Sequence, residues 1–467
     1  MAGIAAVGVE VPQGRLSREA LAAAWGTPAL PGERAVAAAD EDALTLAVEA
    51  GRRALSDGGG ADALIFATTT SPYTDKSVAA VLATAMRLPD DLRTAELTGG
   101  GRCGLEALRM AADLVDAGSA RRVLVVVSER RLATPGSAAE QTAGDAAVAL
   151  VIDENAGVAR IEAWGEVTDD LTARWSLAGD RLHREFEPRL EARHGLTEAV
   201  AAAATRALAA AGIAPGELAC AILPGPGGRA GSAAADKLGI GRDRLADLLT
   251  GQVGDAGAAS PMLALAAALP RLAERDRVLV AAHGDGASAA VLTRGPAQSS
   301  SVEASLLRRR EVASYEEYAA PRGLIEGAPD GGAESVEVSP VAYWRRRRAI
   351  LAREGARCQA CGTVQFPPAP ACTECACRAL VPVELADTGV VYTFTNDHLV
   401  GGAYLEQPLA RCVIDLDGGG RFYTTMTDCD PSLVRVGMQV ELTFRLRSTG
   451  GGFRNYGWKC RPAEVTV

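Results

Sequence analysis

Residues 121–128 read RRVLVVVS and residues 276–282 read DRVLVAA. Each is a charged start followed by a continuous apolar run, the pattern of a strand buried on both faces. Each also follows an Ala- and Leu-rich segment with helical periodicity, Leu105–Ala117 before the first and Pro261–Leu272 before the second. Leu97-Thr98-Gly99 precedes one of these helices, and Leu249-Thr250-Gly251 precedes the other. The offset between the two copies is about 150 residues, too long for a solenoid repeat. The text therefore predicts a duplicated α/β domain with two pseudo-equivalent halves, about 1–155 and 156–296. The competing explanation is chance, since Ala-rich α/β chains resemble themselves.

Working outward, Glu41–Leu55 and Glu198–Ala211 read as helices, and Ala63–Thr68 and Ala219–Leu223 as short apolar strands. Apolar runs between helices predict a mostly parallel sheet covered on both faces. Hydrophobic residues make up 48% of the 467 and aromatics 4%, so the core is built from Ala, Val and Leu. A chain of this length holds two or three domains.

The formal net charge of −10 argues against a general nucleic-acid binder, while leaving an anionic small ligand open to local arginines. No run approaches the roughly 18 apolar residues of a membrane span. Met1–Pro12 lacks the basic start and long apolar stretch of a signal peptide, and a cytoplasmic protein without membrane association is expected. Five of the ten cysteines fall between Cys358 and Cys377, which reads as metal binding in a reducing compartment.

From 297 to 340 the text turns polar and predicts a linker. Tyr343–Arg353 (YWRRRRAILAR) reads as a basic amphipathic helix, either a solvated surface or a docking element. With it, 341–380 forms the helix and ribbon region. Cys358 and Cys361 form one C-x-x-C pair, and Cys372 and Cys375 a second. Four thiolates at this spacing converge on one tetrahedral zinc, a closed and therefore structural site. Cys377 is a spare, and a redox dithiol pair is the alternative for the cluster. Gly389–Asn396, Ala410–Leu416, Arg421–Thr427 and Gln439–Leu446 alternate like strands. Four or five short strands with Gly turns fit a small all-β barrel over 381–467.

The text RCQACGTVQFPPAPACTEC and the strands up to Tyr456-Gly457-Trp458 resemble the zinc-ribbon and OB-fold domain that accompanies acyl-CoA thiolase-like enzymes. TAELTGGGRCGLEAL (94–108), GDAGAAS (254–260) and GDGAS (284–288) resemble the thiolase superfamily, in particular hydroxymethylglutaryl-CoA synthases and ketoacyl synthases. That resemblance implies a coenzyme A or carrier-protein thioester substrate, a homodimer, and possible pairing with another thiolase-like subunit. It also implies a nucleophilic Cys at a helix N-terminus, assisted by a His and an Asn. This sequence departs from that set. The Cys position falls at Gly101 or Arg102, the His near Gly225, the Asn at Asp255, and the acidic residue near Thr69.

Other residues then become the candidates. His283, at a strand end before Gly284-Asp285-Gly286, can serve as a general base or cap a turn. Asp255 can orient His283 or take a proton alpha to a thioester, or start the following helix. Cys103 is a nucleophile if the register shifts, and otherwise a buried small residue. Gly100, Gly101, Gly225 and Gly284 let backbone donors approach a thioester carbonyl. Asp285 and Tyr73 are weaker substrate-side candidates, with turn and packing roles as alternatives. The expected chemistry is making or breaking a C–C bond, of aldol or retro-aldol type, without an acyl-cysteine. A condensing acyltransferase using Cys103 and a non-catalytic acyl-CoA scaffold are the competing readings. His283, Asp255 and the 99–103 loop are expected to share one cavity.

Overall fold

The structure is a computed structural model that describes residues 1–56, 58–177, 179–225, 229–298, 302–325, 339–399, 408–450 and 452–463. Gly227, Gly228 and two stretches of the expected linker, 299–301 and 326–338, lie outside the described residues. The chain divides into two compact units. The first comprises 1–38, 42–83 and 88–315, the second 39–41, 84–87 and 316–467.

The first unit is organised as two copies of one plan. The first copy runs β1 (Gly3–Glu10), α1 (Ala43–Ala54), β2 (Ala63–Ala67), β3 (Arg93–Leu97), α2 (Cys103–Asp116), β4 (Arg122–Arg130) and β5 (Asp145–Asp153). The second runs β6 (Ala159–Thr168), α3 (Val200–Ala211), β7 (Leu218–Ile222), α4 (Ser260–Ala268), β8 (Arg277–His283) and β9 (Gly286–Arg294). A parallel bridge between Ala221 and Leu245 stands where β3 stands in the first copy. The strands form one nine-stranded sheet in the order β7-β8-β9-β6-β1-β5-β4-β2-β3. Within each half the pairings correspond one to one. β2 runs parallel to β4 as β7 does to β8. β4–β5–β1 and β8–β9–β6 are antiparallel. The halves meet at the short antiparallel β1–β6 pairing, Gly3 with Arg160 and Ile4 with Ala159.

The mostly parallel sheet expected from the sequence is corrected to a mixed one. Five neighbouring pairs are antiparallel and three parallel. Continuous apolar runs report burial on both faces, and that is what these strands have, whatever their direction. Along β8, Val278, Val280 and Ala282 enter one core with α2 and α4, while Leu279 and Ala281 enter a second with α3. This is the period-two alternation of a strand with both faces covered.

Glycines set how closely helices approach the sheet. A Cβ at Gly8 of β1 would lie 2.1 Å from the Ala50 carbonyl oxygen of α1, and one at Gly165 of β6 the same distance from the Ala203 carbonyl of α3. The two halves thus use the same backbone-to-backbone packing. The capping box of Asp42 and Thr45, with the Asp42 side chain accepting from Leu44 and Thr45 amides at 3.0 and 3.1 Å, starts α1 at Ala43, two residues after the expected Glu41.

In the second unit two short helical turns, Pro340–Arg345 and Arg347–Ala352, stand where one continuous basic helix was expected. The break is at Arg346, and Arg353 ends the second turn at φ +53°. Leu351 and Ala352 are buried and Trp344 is exposed. β10 (Glu354–Cys358), β11 (Val364–Gln365) and β12 (Leu380–Glu384) form a three-stranded ribbon. β13 (Thr388–Asp397), β14 (Leu409–Leu416), β15 (Arg421–Thr425), β16 (Gln439–Gly450) and β17 (Phe453–Pro462) form an antiparallel sheet in the order β15-β14-β13-β16-β17. A bridge from Met426 to Cys460 brings the first edge back to the last and closes the barrel. Phe444 and Trp458, edge to face at 5.2 Å, fill its interior.

Candidate functional site

A cavity of about 250 Å³ opens in the first unit. Two glycine loops, one from each half, form part of its wall. Gly99 has φ +111°, and a Cβ at Gly284 would lie 2.6 Å from the Gly101 amide nitrogen. Only residues without side chains let the 99–101 and 283–285 loops touch backbone to backbone. Gly100, Gly101, Gly225, Gly284, Asp285, His283 and Asp255 all line this cavity.

Asp255 is pinned through its backbone, its amide donating to the Thr142 carbonyl at 2.7 Å and its carbonyl accepting from Gly144 at 3.0 Å. Its Oδ1 accepts from the Gly257 amide at 3.0 Å and the Ser260 hydroxyl at 3.1 Å. Burial works against its charge, but Arg131 and Arg174, with these two donors, hold its pKa below the ordinary carboxylate range. Asp255 is therefore an ionised carboxylate facing the cavity at neutral pH. It also braces the turn before α4 through Gly257 and Ser260, while the helix N-cap itself is Ala259 and not Asp255.

His283 is the last residue of β8. Its ring packs on Gly195, where an added Cβ would lie 2.1 Å from Nε2, and that buried nitrogen has no hydrogen-bond partner among the described residues. Nδ1 lies 3.8 Å from Glu191 Oε1, beyond hydrogen-bond distance. Burial, then Arg174 and Arg102, push its pKa down to about 4, so the imidazole is neutral at pH 7. Burial pushes the Glu191 carboxyl up. Asp285, at φ +47°, is likewise raised by burial, against Arg102.

Cys103 and Tyr73 are not on this wall. Cys103 is fully buried in the core of α2, and burial, then Glu129 and Glu106, push its thiol far above the usual range. Cys103 is the first residue of α2, and its side chain packs in the core cluster with Leu105 and Leu108. Tyr73 is half-buried elsewhere, with Lys76 Nζ 5.9 Å from its ring centre.

The cavity is also lined by Thr69, placed in the sequence only as the position of the family's acidic residue, and by Arg131, Arg174, His183 and Glu191, which the sequence did not single out. Thr69 and Arg131 lie just past the ends of β2 and β4, and polar residues closing a buried apolar run were the available signal. Arg174 and His183 come from the excursion around the small hairpin Arg174–Trp175 with Arg184–Glu185, which has no periodicity to read. Burial, then Arg131 and Arg174, push His183 down to about 4.

The second unit holds the metal centre. Sγ atoms of Cys358, Cys361, Cys372 and Cys375 all lie within 4.8 Å of one another. Cys358–Cys375 and Cys361–Cys372 are each 3.6 Å apart, against about 3.8 Å between sulfurs of a tetrahedron with Zn–S of about 2.3 Å. Each C-x-x-C is followed by a left-handed residue, Gly362 at φ +76° and Ala376 at +58°, which folds both pairs into matching knuckles. Residues and geometry fit a structural zinc.

Three family models match the chain. Residues 354–381 match "ChsH2, rubredoxin-like zinc ribbon domain", 382–445 match "ChsH2, C-terminal OB-fold domain", and 208–294 match "3-Oxoacyl-[acyl-carrier-protein (ACP)] synthase III C terminal". The first unit thus resembles thiolase-like condensing enzymes, and the region after it resembles a ChsH2-type zinc ribbon and OB fold. Hydroxymethylglutaryl-CoA synthase from Pyrococcus furiosus is 28% identical over 335 residues, covering 70% of this chain and 94% of that protein. A solved hydroxymethylglutaryl-CoA synthase complexed with CoA shares the fold at TM-score 0.61 and 19% identity, over 72% of this chain and 94% of its own. The synthase III of Thermus thermophilus aligns at TM-score 0.56 and 26% identity, over 63% of this chain and all (100%) of that one. Among the described residues no helix is long and apolar enough to cross a membrane.

Proposed function

We propose that the first unit processes a coenzyme A or carrier-protein thioester, making or breaking a C–C bond through an enolate and without an acyl-cysteine. One observation carries this reading: an ionised Asp255 and a neutral His283 share a cavity with the glycine loop, and no cysteine is among the described residues lining it. The relatives, named hydroxymethylglutaryl-CoA synthases and synthase III enzymes, support the substrate class.

In this account Asp255 removes the proton alpha to the thioester in the condensing direction, or the β-hydroxyl proton in cleavage. General base catalysis contributes about 10²- to 10⁴-fold. The carbonyl oxygen becomes an oxyanion facing backbone amides of the glycine loop, each worth roughly 3 kcal/mol when aimed at it. His283, neutral, orients the acyl group. Such a protein is expected to be a homodimer through the first unit.

A second reading, an acyl-thioester-binding scaffold for a partner subunit, rests on His283 Nε2 being turned against Gly195. Incubation with acetyl-CoA followed by intact mass measurement, and a β-hydroxyacyl-CoA cleavage assay, test these together. No adduct, with cleavage lost in folded His283→Ala, supports the enzyme. An adduct on Cys103 supports the condensing acyltransferase, and absence of any turnover supports the scaffold.

A further inference from the structure

We propose that Thr69 and Glu129 form a proton relay, in which the Thr69 hydroxyl on the cavity wall passes a proton between the oxygen of the bound thioester and the buried Glu129 carboxyl. This rests on the thioester reading above and adds the acid that Asp255 lacks as partner.

The strands dictate the meeting. β2 and β4 are parallel neighbours with Ala67 opposite Val127, so two residues further Thr69 stands beside Glu129. The Thr69 hydroxyl donates to both carboxylate oxygens, at 2.9 and 3.0 Å, and the Thr69 amide adds a third contact at 2.9 Å. The Thr70 hydroxyl donates at 2.8 Å. Glu129 itself is fully buried and does not line the cavity, whereas Thr69 does. Thr69 is thus the link between the cavity and a carboxyl one layer behind it.

Burial raises the pKa of Glu129, against Arg131, Thr69 and Thr70, which lower it. Arg131 and Cys103 are the charged and titratable groups it acts upon or feels. A raised pKa favours the protonated form that an acid requires. In the step, the Thr69 hydroxyl rotates from Glu129 toward the substrate oxygen and accepts from the protonated Glu129; its Oγ–H bond then breaks toward the substrate oxygen as the Glu129 O–H bond breaks toward Thr69 Oγ. Thr69 ends unchanged, Glu129 becomes a carboxylate held by the Thr69 amide and the Thr70 hydroxyl, and Asp255 holds the α-proton. The return runs each transfer backward.

The test is deuterium uptake from D₂O at the α-carbon of acetyl-CoA, butyryl-CoA and β-hydroxybutyryl-CoA, with the full chain. Thr69→Val is expected to slow uptake about 100-fold, while Thr69→Ser, which keeps the hydroxyl, stays within about threefold of wild type. The wild-type rate falls as rising pH deprotonates Glu129. Glu129→Gln is slow and lacks that alkaline fall, a change that a structural role would not produce. Wild-type rates in Thr69→Val, or an alkaline fall that persists in Glu129→Gln, overturn the relay alone. If the wild-type chain exchanges none of the three probes, the thioester reading falls and the relay with it.

Discussion

Gly165→Ala tests the packing on which the duplicated fold rests. The new methyl carbon would stand 2.1 Å from the Ala203 carbonyl oxygen and 2.4 Å from the Ala207 nitrogen. Non-bonded atoms of this kind settle at about 3.5 Å, so α3 must retreat from β6 by more than about 1 Å. Both obstacles are backbone, so no side chain can swing aside. Added carbons in a packed core cost about 1–3 kcal/mol, and this geometry belongs at about 3. Losing glycine from the unfolded chain returns up to about 1 kcal/mol, leaving a net destabilisation of about 2 kcal/mol. At roughly 2 °C per kcal/mol for a large domain, Tm falls by about 4 °C. Gly8→Ala, 2.1 Å from Ala50 O and 2.5 Å from Ala54 N, is expected to cost the same, and the double variant the sum of the two. Scanning calorimetry of the three variants measures this. Unchanged or raised Tm at both positions would refute the close-packing argument, and a loss at one position alone would refute the equivalence of the halves.

Purified protein is expected to carry one zinc per chain by plasma mass spectrometry, and Cys358→Ser to lose the metal and unfold the ribbon while the first unit keeps its melting transition. Disulfides among the four cysteines would contradict this. Cys103 should resist iodoacetamide in the native chain and label only after denaturation, read by peptide mapping, because its thiol is buried and its pKa pushed far up. His283 carries a pKa of about 4 when folded against an ordinary 6.5. The unfolded imidazole then binds a proton that the folded one refuses. Wild-type stability should therefore drop relative to His283→Gln as pH falls from 6.5 toward 4, and a difference independent of pH would count against that burial.

The duplicated plan was legible because β4 and β8 carry almost the same text, and the zinc site because its spacing admits few other structures. Strand direction was not legible: β5 and β9 are apolar for the same reason as β4 and β8, namely helices on both faces. The cavity was only partly readable. Asp255 and His283 stand at glycine-rich loops that mark strand and helix ends. Cys103 was readable as a nucleophile or as a buried small residue, because the sequence does not show which way the first residue of α2 faces. Thr69 and Glu129 are 60 residues apart, and only the parallel pairing of β2 with β4 brings them together. Arg174 and His183 come from an excursion between regular elements, where period-based reading has no purchase.

Deuterium uptake at the α-carbon of an acyl-CoA, compared in wild type, Asp255→Asn and Cys103→Ser, tests the central claim most directly. Wild type and Cys103→Ser should exchange at the same rate, and Asp255→Asn at least about 100-fold more slowly, with no acyl adduct on any chain. Exchange that survives in Asp255→Asn, or that vanishes in a folded Cys103→Ser variant together with an adduct on wild-type Cys103, would contradict the account.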